Sequence, residues 1–183
     1  MGSANDVRFA SLYDRYYRHI YAYCRRRTTP DRLDDAVADT FLIAWRRIDD
    51  VPHDREGLLW LYRVAYRVLG HQWRSASRRH KLDQKLVSLG KESPLPPEDF
   101  IVIHEEARQV LEAASRLNAK DTEILRLVAW EVLAHSDIAD VLGISAGAVK
   151  QRLHRAKKNL TREYNRLDKK QAHTPAAQKG GAW

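Results

Sequence analysis

The stretch Val132–Leu160, VLAHSDIADVLGISAGAVKQRLHRAKKNL, constrains this chain more than any other. It reads as two helices joined by a tight turn at Gly143-Ile144-Ser145. Gly143 can take the positive φ that stops a helix, and Ser145 is a natural N-cap for the next one. In the second helix Val149, Leu153, Ala156 and Leu160 recur at helical spacing as one apolar face. Lys150, Gln151, His154, Arg155 and Lys158 recur as another, polar and basic. A helix with these two faces can pack on its own domain and enter a DNA major groove. Ala139, on the first helix, is small where the two helices must cross.

Charge distribution supports an anionic partner. The formal net charge is +8 over 183 residues. Between Ser145 and Lys170 there are nine Lys or Arg (150, 152, 155, 157, 158, 162, 166, 169, 170) and two acids, Glu163 and Asp168. A second basic stretch, His71–Lys81, holds Arg74, Arg78, Arg79 and Lys81 and no acid. It follows an acidic one, Asp31–Glu56, with eight acids and four arginines. Two basic sites far apart in sequence suggest two contacts on one long ligand.

The rest of the chain reads as helix, so the expected fold class is all-α. Phe9, Leu12, Tyr13, Tyr16, Tyr17, Ile20 and Tyr23 follow three- and four-residue steps within a helix over 6–27. Pro30 marks a break, and a second helix is expected over 34–48. Residues 49–57, with Pro52, read as a loop, and a long helix runs from Gly57 or Leu58 to about Arg79. Ser88–Asp99, with three prolines, reads as a linker. Further helices are expected over 99–118 and, N-capped by Asp121, to about Trp130. The expected organisation is two small helical domains, 5–81 and 104–168, on a flexible linker, 82–103, with a disordered tail, 169–183. No apolar run nears the roughly 18 residues that span a bilayer, and no apolar leader opens the chain. Membrane insertion is therefore not expected. The single cysteine, Cys24, fits a reducing, cytoplasmic setting.

On these segments the chain resembles the bacterial sigma factors of the extracytoplasmic-function (ECF, group 4) type, within the sigma-70 family. DTEILRLVAWEVLAHSDIADVLGISAGAVKQRLHRAKKNL is similar to the family's region 4, a helix-turn-helix. DAVADTFLIAWRRI, residues 35–48, resembles the polymerase-binding segment of region 2. WLYRVAYRVLGHQWR, residues 60–74, resembles the segment that reads and melts the promoter −10 element. The resemblance covers roughly residues 5–168. It implies a region 2 helical bundle and a region 4 helix-turn-helix. The implied function is to bind core RNA polymerase, direct it to promoters through −10 and −35 elements, and promote DNA opening.

The resemblance also implies roles for residues. Lys150, Gln151, His154 and Arg155 would enter the major groove of the −35 element, with Arg152 and Lys158 near the backbone. His53, Asp54, Arg55, Tyr66 and Arg67 would surround a flipped −10 base, His71 would also contact the −10 element, and Arg74, Arg78 and Arg79 would follow phosphates. Asp35, Asp39, Thr40, Phe41 and Trp45 would dock on the β′ clamp helices of the polymerase, and region 4 on its β flap. An anti-sigma factor is a further implied partner. The pattern departs from the family at Ala38 (commonly Gln), Arg67 (Asn), His71 (Asp) and Ala134-His135 (Ser/Thr-Tyr). An arginine cannot accept a hydrogen bond, so Arg67 would alter how a base is read.

No cofactor, metal or enzymatic activity is expected: the chain has no Cys-x-x-Cys, no His-x-x-x-His and no phosphate-binding glycine loop. Trp60, Leu61, Val64, Val68 and Leu69 are expected in the core. Two other readings remain open: a stand-alone helix-turn-helix regulator with an N-terminal dimerisation or sensor domain, and a helical adaptor. The adaptor leaves the basic helix unexplained.

Overall fold

Helix α1 spans Ala4–Arg25 and α2 Pro30–Arg46. The computed structural model describes residues 4–83 and 105–172, with side chains over 4–74 and 107–169. Pro30 stands in the first turn of α2, where its missing N–H is no loss, so the helix begins there rather than at the expected Asp34. Tyr16, Ile20, Tyr23 and Cys24 of α1 face Leu33, Ala36, Val37, Phe41 and Ala44 of α2 in one apolar core. A 3-10 turn, Ile48–Asp50, leads to α3, Asp54–Asp83. Helix α3 starts three residues earlier than expected and continues into the expected linker.

Asp54 sits at φ 51, where aspartate is among the better-tolerated residues. Its carbonyl accepts the Tyr16 hydroxyl at 2.6 Å. A Cβ on Gly57 would lie 2.7 Å from the Pro52 carbonyl, so the loop can close on the first turn of α3 only over a glycine.

The second half holds α4, Glu105–Ser115; α5, Ala119–Ala129; α6, His135–Leu142; and α7, Ala146–Ala172. The N-cap of α5 is Asn118, not the expected Asp121. The two form a reciprocal box: the Asp121 N–H donates to Asn118 Oδ1 (3.0 Å) and Asn118 Nδ2 to Asp121 Oδ2 (2.9 Å). Helix α6 stops at Gly143 with φ 64, and the Ile144 N–H reaches back to Ala139 O at 3.1 Å. The Ser145 hydroxyl accepts the Ala148 N–H at 3.1 Å and so caps α7. Val149, Leu153 and Ala156 are buried, and Leu160 is half-buried. Helix α7 runs to Ala172, past the expected start of the tail at 169. Residues 84–104 and 173–183, the greater part of the expected linker and tail, lie outside the described residues.

The two halves do not stand apart. Helix α3 packs on α6, and Ile124, Leu127, Ile138 and Val141 join the same buried cluster as the α1–α3 core. At the seam the rings of Tyr23 and Tyr62 lie 5.0 Å apart. Arg27, only 4% exposed, donates from Nε to Glu123 Oε2 at 2.9 Å and from NH2 to Glu131 Oε2 at 3.0 Å. Its guanidinium lies 3.6 Å above the Tyr23 ring. Arg26 donates to Glu131 at 2.6 Å, and the Tyr23 hydroxyl to Glu123 at 3.1 Å. Burial opposes the charge on Arg27, but Tyr23, Glu123 and Glu131 together hold its pKa above the ordinary arginine value. A proline-rich linker read from sequence says only that two halves are connected. That their faces match depends on side chains about a hundred positions apart.

Two predictions follow from this packing. Val132 is a β-branched residue at φ 51 with 78% of its surface exposed, so its strain is balanced by no packing. Val132→Gly should stabilise the protein by about 1 kcal/mol, the relief of left-handed strain less the entropy of glycine; urea denaturation midpoints measure it. Burial raises the Cys24 thiol from 9.0 and the Tyr62 hydroxyl from 10.0, each to about 12, and Tyr23 well above its ordinary range. The folded state thus keeps protons that the unfolded chain gives up. Their stabilisation is complete below pH 9 and is lost as pH climbs towards 12. Melting temperature should fall steeply across that window.

Candidate nucleic-acid interface

The α7 surface is built by helical periodicity. With Val149, Leu153 and Ala156 turned into the core, Lys150, Gln151, His154, Arg155 and Lys158 are exposed and Arg152 is half-buried. Gly143 and the Ser145 cap set the angle at which this helix leaves α6. Its inner side is tied to α5 by Asp121, a fully buried carboxylate. Oδ2 of Asp121 accepts Asn159 Nδ2 at 2.8 Å, and Oδ1 lies 3.4 Å from Arg155 NH2. Arg155 is therefore held from behind while 61% of its side chain faces solvent. The basic face continues along a shallow groove lined by Lys158, Arg162, Arg166 and Lys169.

A second surface lies on α3 and the loop before it. His53, Asp54 and Arg55 are exposed. Arg67, His71 and Arg74 are exposed along one side of the helix, with Tyr66 half-buried beside them. Arg63 extends the row by one turn; its spacing of four from Arg67 was the signal for it in the sequence. Leu61, Val64, Val68 and Leu69 are buried as expected. Trp60 is half-buried against the core, with Arg47 5.8 Å from its ring centre. Tyr62 belongs to the seam with Tyr23. Arg55 forms an ion pair with Asp137 of α6. Arg78 and Arg79 lie on the α3 backbone, but their side chains are outside the described residues.

On α2 the five residues expected to dock on polymerase separate. Asp35 and Asp39 are exposed, and Trp45 is 42% exposed with its ring 5.0 Å from Phe9. Thr40 is fully buried, donating to Ala36 O at 2.7 Å, and Phe41 is 3% exposed among Phe9, Tyr13 and Tyr17. Thr40 and Phe41 thus form the floor of this surface and cannot touch a partner directly. The inward row 33, 36, 37, 40, 41, 44 takes both. Leu42 and Tyr13 are exposed apolar neighbours that the sequence reading missed. Among the described residues no group of three or more His, Cys, Asp or Glu side chains could hold a metal ion. None of the described helices is long and apolar enough to cross a membrane.

The family model for Sigma-70 region 2 matches residues 12–79, and that for Sigma-70, region 4, matches 107–160. The chain is 30% identical over 158 residues to the RNA polymerase sigma factor NccH of Alcaligenes xylosoxydans xylosoxydans, covering 84% of each. The chain belongs to the sigma-70 family of RNA polymerase sigma factors. Its relatives include the ECF sigma factor SigW of Bacillus subtilis, 26% identical over 168 residues, covering 87% of this chain and 90% of SigW. Among solved structures it is similar to the sigma factor RpoE of Bartonella quintana, in complex with the anti-sigma factor NepR. There the TM-score is 0.68 at 20% identity, covering 86% of this chain and 96% of that one, a likeness of fold. It is also similar to CnrH in complex with the cytosolic domain of CnrY: TM-score 0.57, 25% identity, 84% of each chain. As an ECF sigma factor the protein acts in transcription initiation by RNA polymerase; the region 2 match over 12–79 identifies the N-terminal half as something other than the dimerisation or sensor domain of a stand-alone regulator.

Within region 4, Asp121→Ala removes the buried acceptor shared by the exposed Asn118 amide and the half-buried Asn159 amide. It should lower stability by about 1–2 kcal/mol, whereas Asp121→Asn, which keeps an acceptor, should lose less than half of that. Urea denaturation of the two variants gives the comparison.

Proposed function

We propose that the two exposed basic surfaces are the two promoter grips of this sigma factor. Region 2, over 5–81, reads and opens the −10 element, and region 4, over 104–168, reads the −35 element. The observation that carries this is the α7 face: five polar or basic side chains exposed on a helix whose opposite face is locked into α5 and α6. Lys150, Gln151, His154 and Arg155 meet base edges and Arg152 and Lys158 the phosphates, since Arg and Lys pair with guanine edges or with phosphate oxygens. His53, Asp54, Arg55, Tyr66, Arg67 and His71 receive a base that has left the stack, where capture contributes roughly 1–3 kcal/mol. Arg63, Arg74, Arg78 and Arg79 follow the backbone. Asp35, Asp39 and Trp45 contact the β′ clamp helices, Thr40 and Phe41 support them from beneath, and region 4 meets the β flap. The protein works in the cytoplasm and catalyses no reaction itself. An anti-sigma partner is proposed too, by analogy with CnrH, whose structure is a complex with CnrY.

Reconstituted run-off transcription on fragments of the native genome tests this reading. Promoter-specific transcripts should appear only when core polymerase and this chain are both present. Lys150→Ala with Arg155→Ala should reduce −35-dependent transcription at least tenfold, at about 1–3 kcal/mol for each base contact, and leave polymerase binding intact. Specific footprints by the chain alone, without polymerase association, would overturn it.

A further inference from the structure

Helix α1 reaches the loop before α3 with three side chains. The Arg8 guanidinium donates to the Val51 carbonyl. The Tyr16 hydroxyl donates to the Asp54 carbonyl at 2.6 Å. Arg15 lies 3.4 Å from the Asp54 carboxylate. Arg15 and Tyr16 stand about two helical turns beyond Arg8, so the three share one side of α1. The Arg15–Asp54 pair is solvent-exposed at both ends and adds little. Arg8 is half-buried and Tyr16 buried, so the two backbone contacts carry the attachment.

We propose that Tyr16 is a positioning residue for strand opening: its hydroxyl, assisted by Arg8, fixes the backbone of residues 51–54 in the shape that receives a flipped −10 base. This rests on the reading that His53, Asp54 and Arg55 belong to the base pocket.

The ring and the hydroxyl of Tyr16 serve different ends. The ring packs in the core of the N-terminal half, where phenylalanine would fill the same space. The hydroxyl adds nothing to that burial and needs a hydrogen-bond partner there. It finds one in the Asp54 backbone. Asp54 stands at φ 51, a conformation that a non-glycine residue keeps only when its surroundings hold it. Its own side chain is 89% exposed and supplies no packing. The Tyr16 hydroxyl supplies that hold from the core.

The attachment fixes the backbone and leaves the side chains outward. Val51 is buried with its carbonyl held. The ring of Pro52 fixes its φ, and the Pro52 carbonyl closes on Gly57. Beyond these anchors His53, Asp54 and Arg55 are exposed. A loop with a fixed backbone and exposed polar tips can meet a base without first being ordered. A single base offers few contacts, and the entropy of ordering a loose loop would cancel a large share of them. Anchoring from α1 orders the loop during folding, before DNA arrives.

The test compares Tyr16→Phe with the parent, each assembled with core polymerase. The DNA is a promoter that gives a run-off transcript, with its −10 element unpaired by mismatches and one −10 nucleotide at a time made abasic. The parent should lose affinity where the captured base is missing. In Tyr16→Phe the ratio of intact to abasic affinity should fall roughly fivefold towards one, the worth of one hydrogen bond, while the abasic DNA binds as it does to the parent. In the free chain the amides of residues 53–57 should exchange with deuterium faster in Tyr16→Phe, and those of α7 at the parent rate. Arg8→Met, which removes the donor and keeps the stem, should repeat both results, and it decides the matter if Tyr16→Phe does not fold. Equal loss on intact and abasic DNA overturns the proposal, because it marks a general weakening of the fold. So does unchanged exchange at 53–57. A parent indifferent to every −10 base sinks the base-pocket reading and the role of Tyr16 with it. A discriminating parent beside an equally discriminating variant sinks only the role of Tyr16.

Discussion

Arg27 is the point through which the two halves of the molecule are organised. A guanidinium almost without solvent must have its charge answered. The answer comes from two glutamates about a hundred residues away and from the face of Tyr23. The fork geometry of arginine allows one side chain to hold Glu123 and Glu131 at once, which a lysine would not do. The same contact fixes the end of α1, the start of α5 and the turn before α6. Through α6 it fixes the helix-turn-helix relative to α3. The apolar seam of Tyr23, Tyr62, Ile124, Leu127 and Ile138 supplies burial, and the ions supply register.

Within region 4, Asp121 does a similar job at shorter range. It closes the capping box with Asn118, receives Asn159 and stands behind Arg155. One buried carboxylate therefore joins the start of α5 to the outward-facing part of α7. The apolar row of α7 fixes which side faces out, while Asp121 and Asn159 resist sliding along the α5 axis.

Much of this was legible in the sequence because it is local. Gly143, Ser145 and the 149/153/156 row follow from a three- to four-residue period and the φ that glycine permits. The structure has each in its expected role. The differences have local causes too. Asp121 looked like a cap because aspartate favours that position, but Asn118 precedes it and takes the cap. Thr40 and Phe41 adjoin the acidic Asp39 in sequence, but the inward row of α2 takes both. Closure of the two halves was not legible at all. Arg27 in a run of three arginines looks like any solvated basic cluster, and nothing near it in sequence marks its partners. The exposed row on α3 was partly visible: Arg67, His71 and Arg74 keep helical spacing, and Arg63 was overlooked in a segment dominated by core residues.

Cys24 lies one turn of α1 below this seam, fully buried, with its thiol pushed up to about 12 by burial. Burial therefore suppresses the thiolate, the form that reacts with peroxides and disulfides. The chain's single sulfhydryl is therefore chemically silent while the fold holds. The same burial that completes the α1 face of the core thus also shields the one sulfur nucleophile of the chain from solvent.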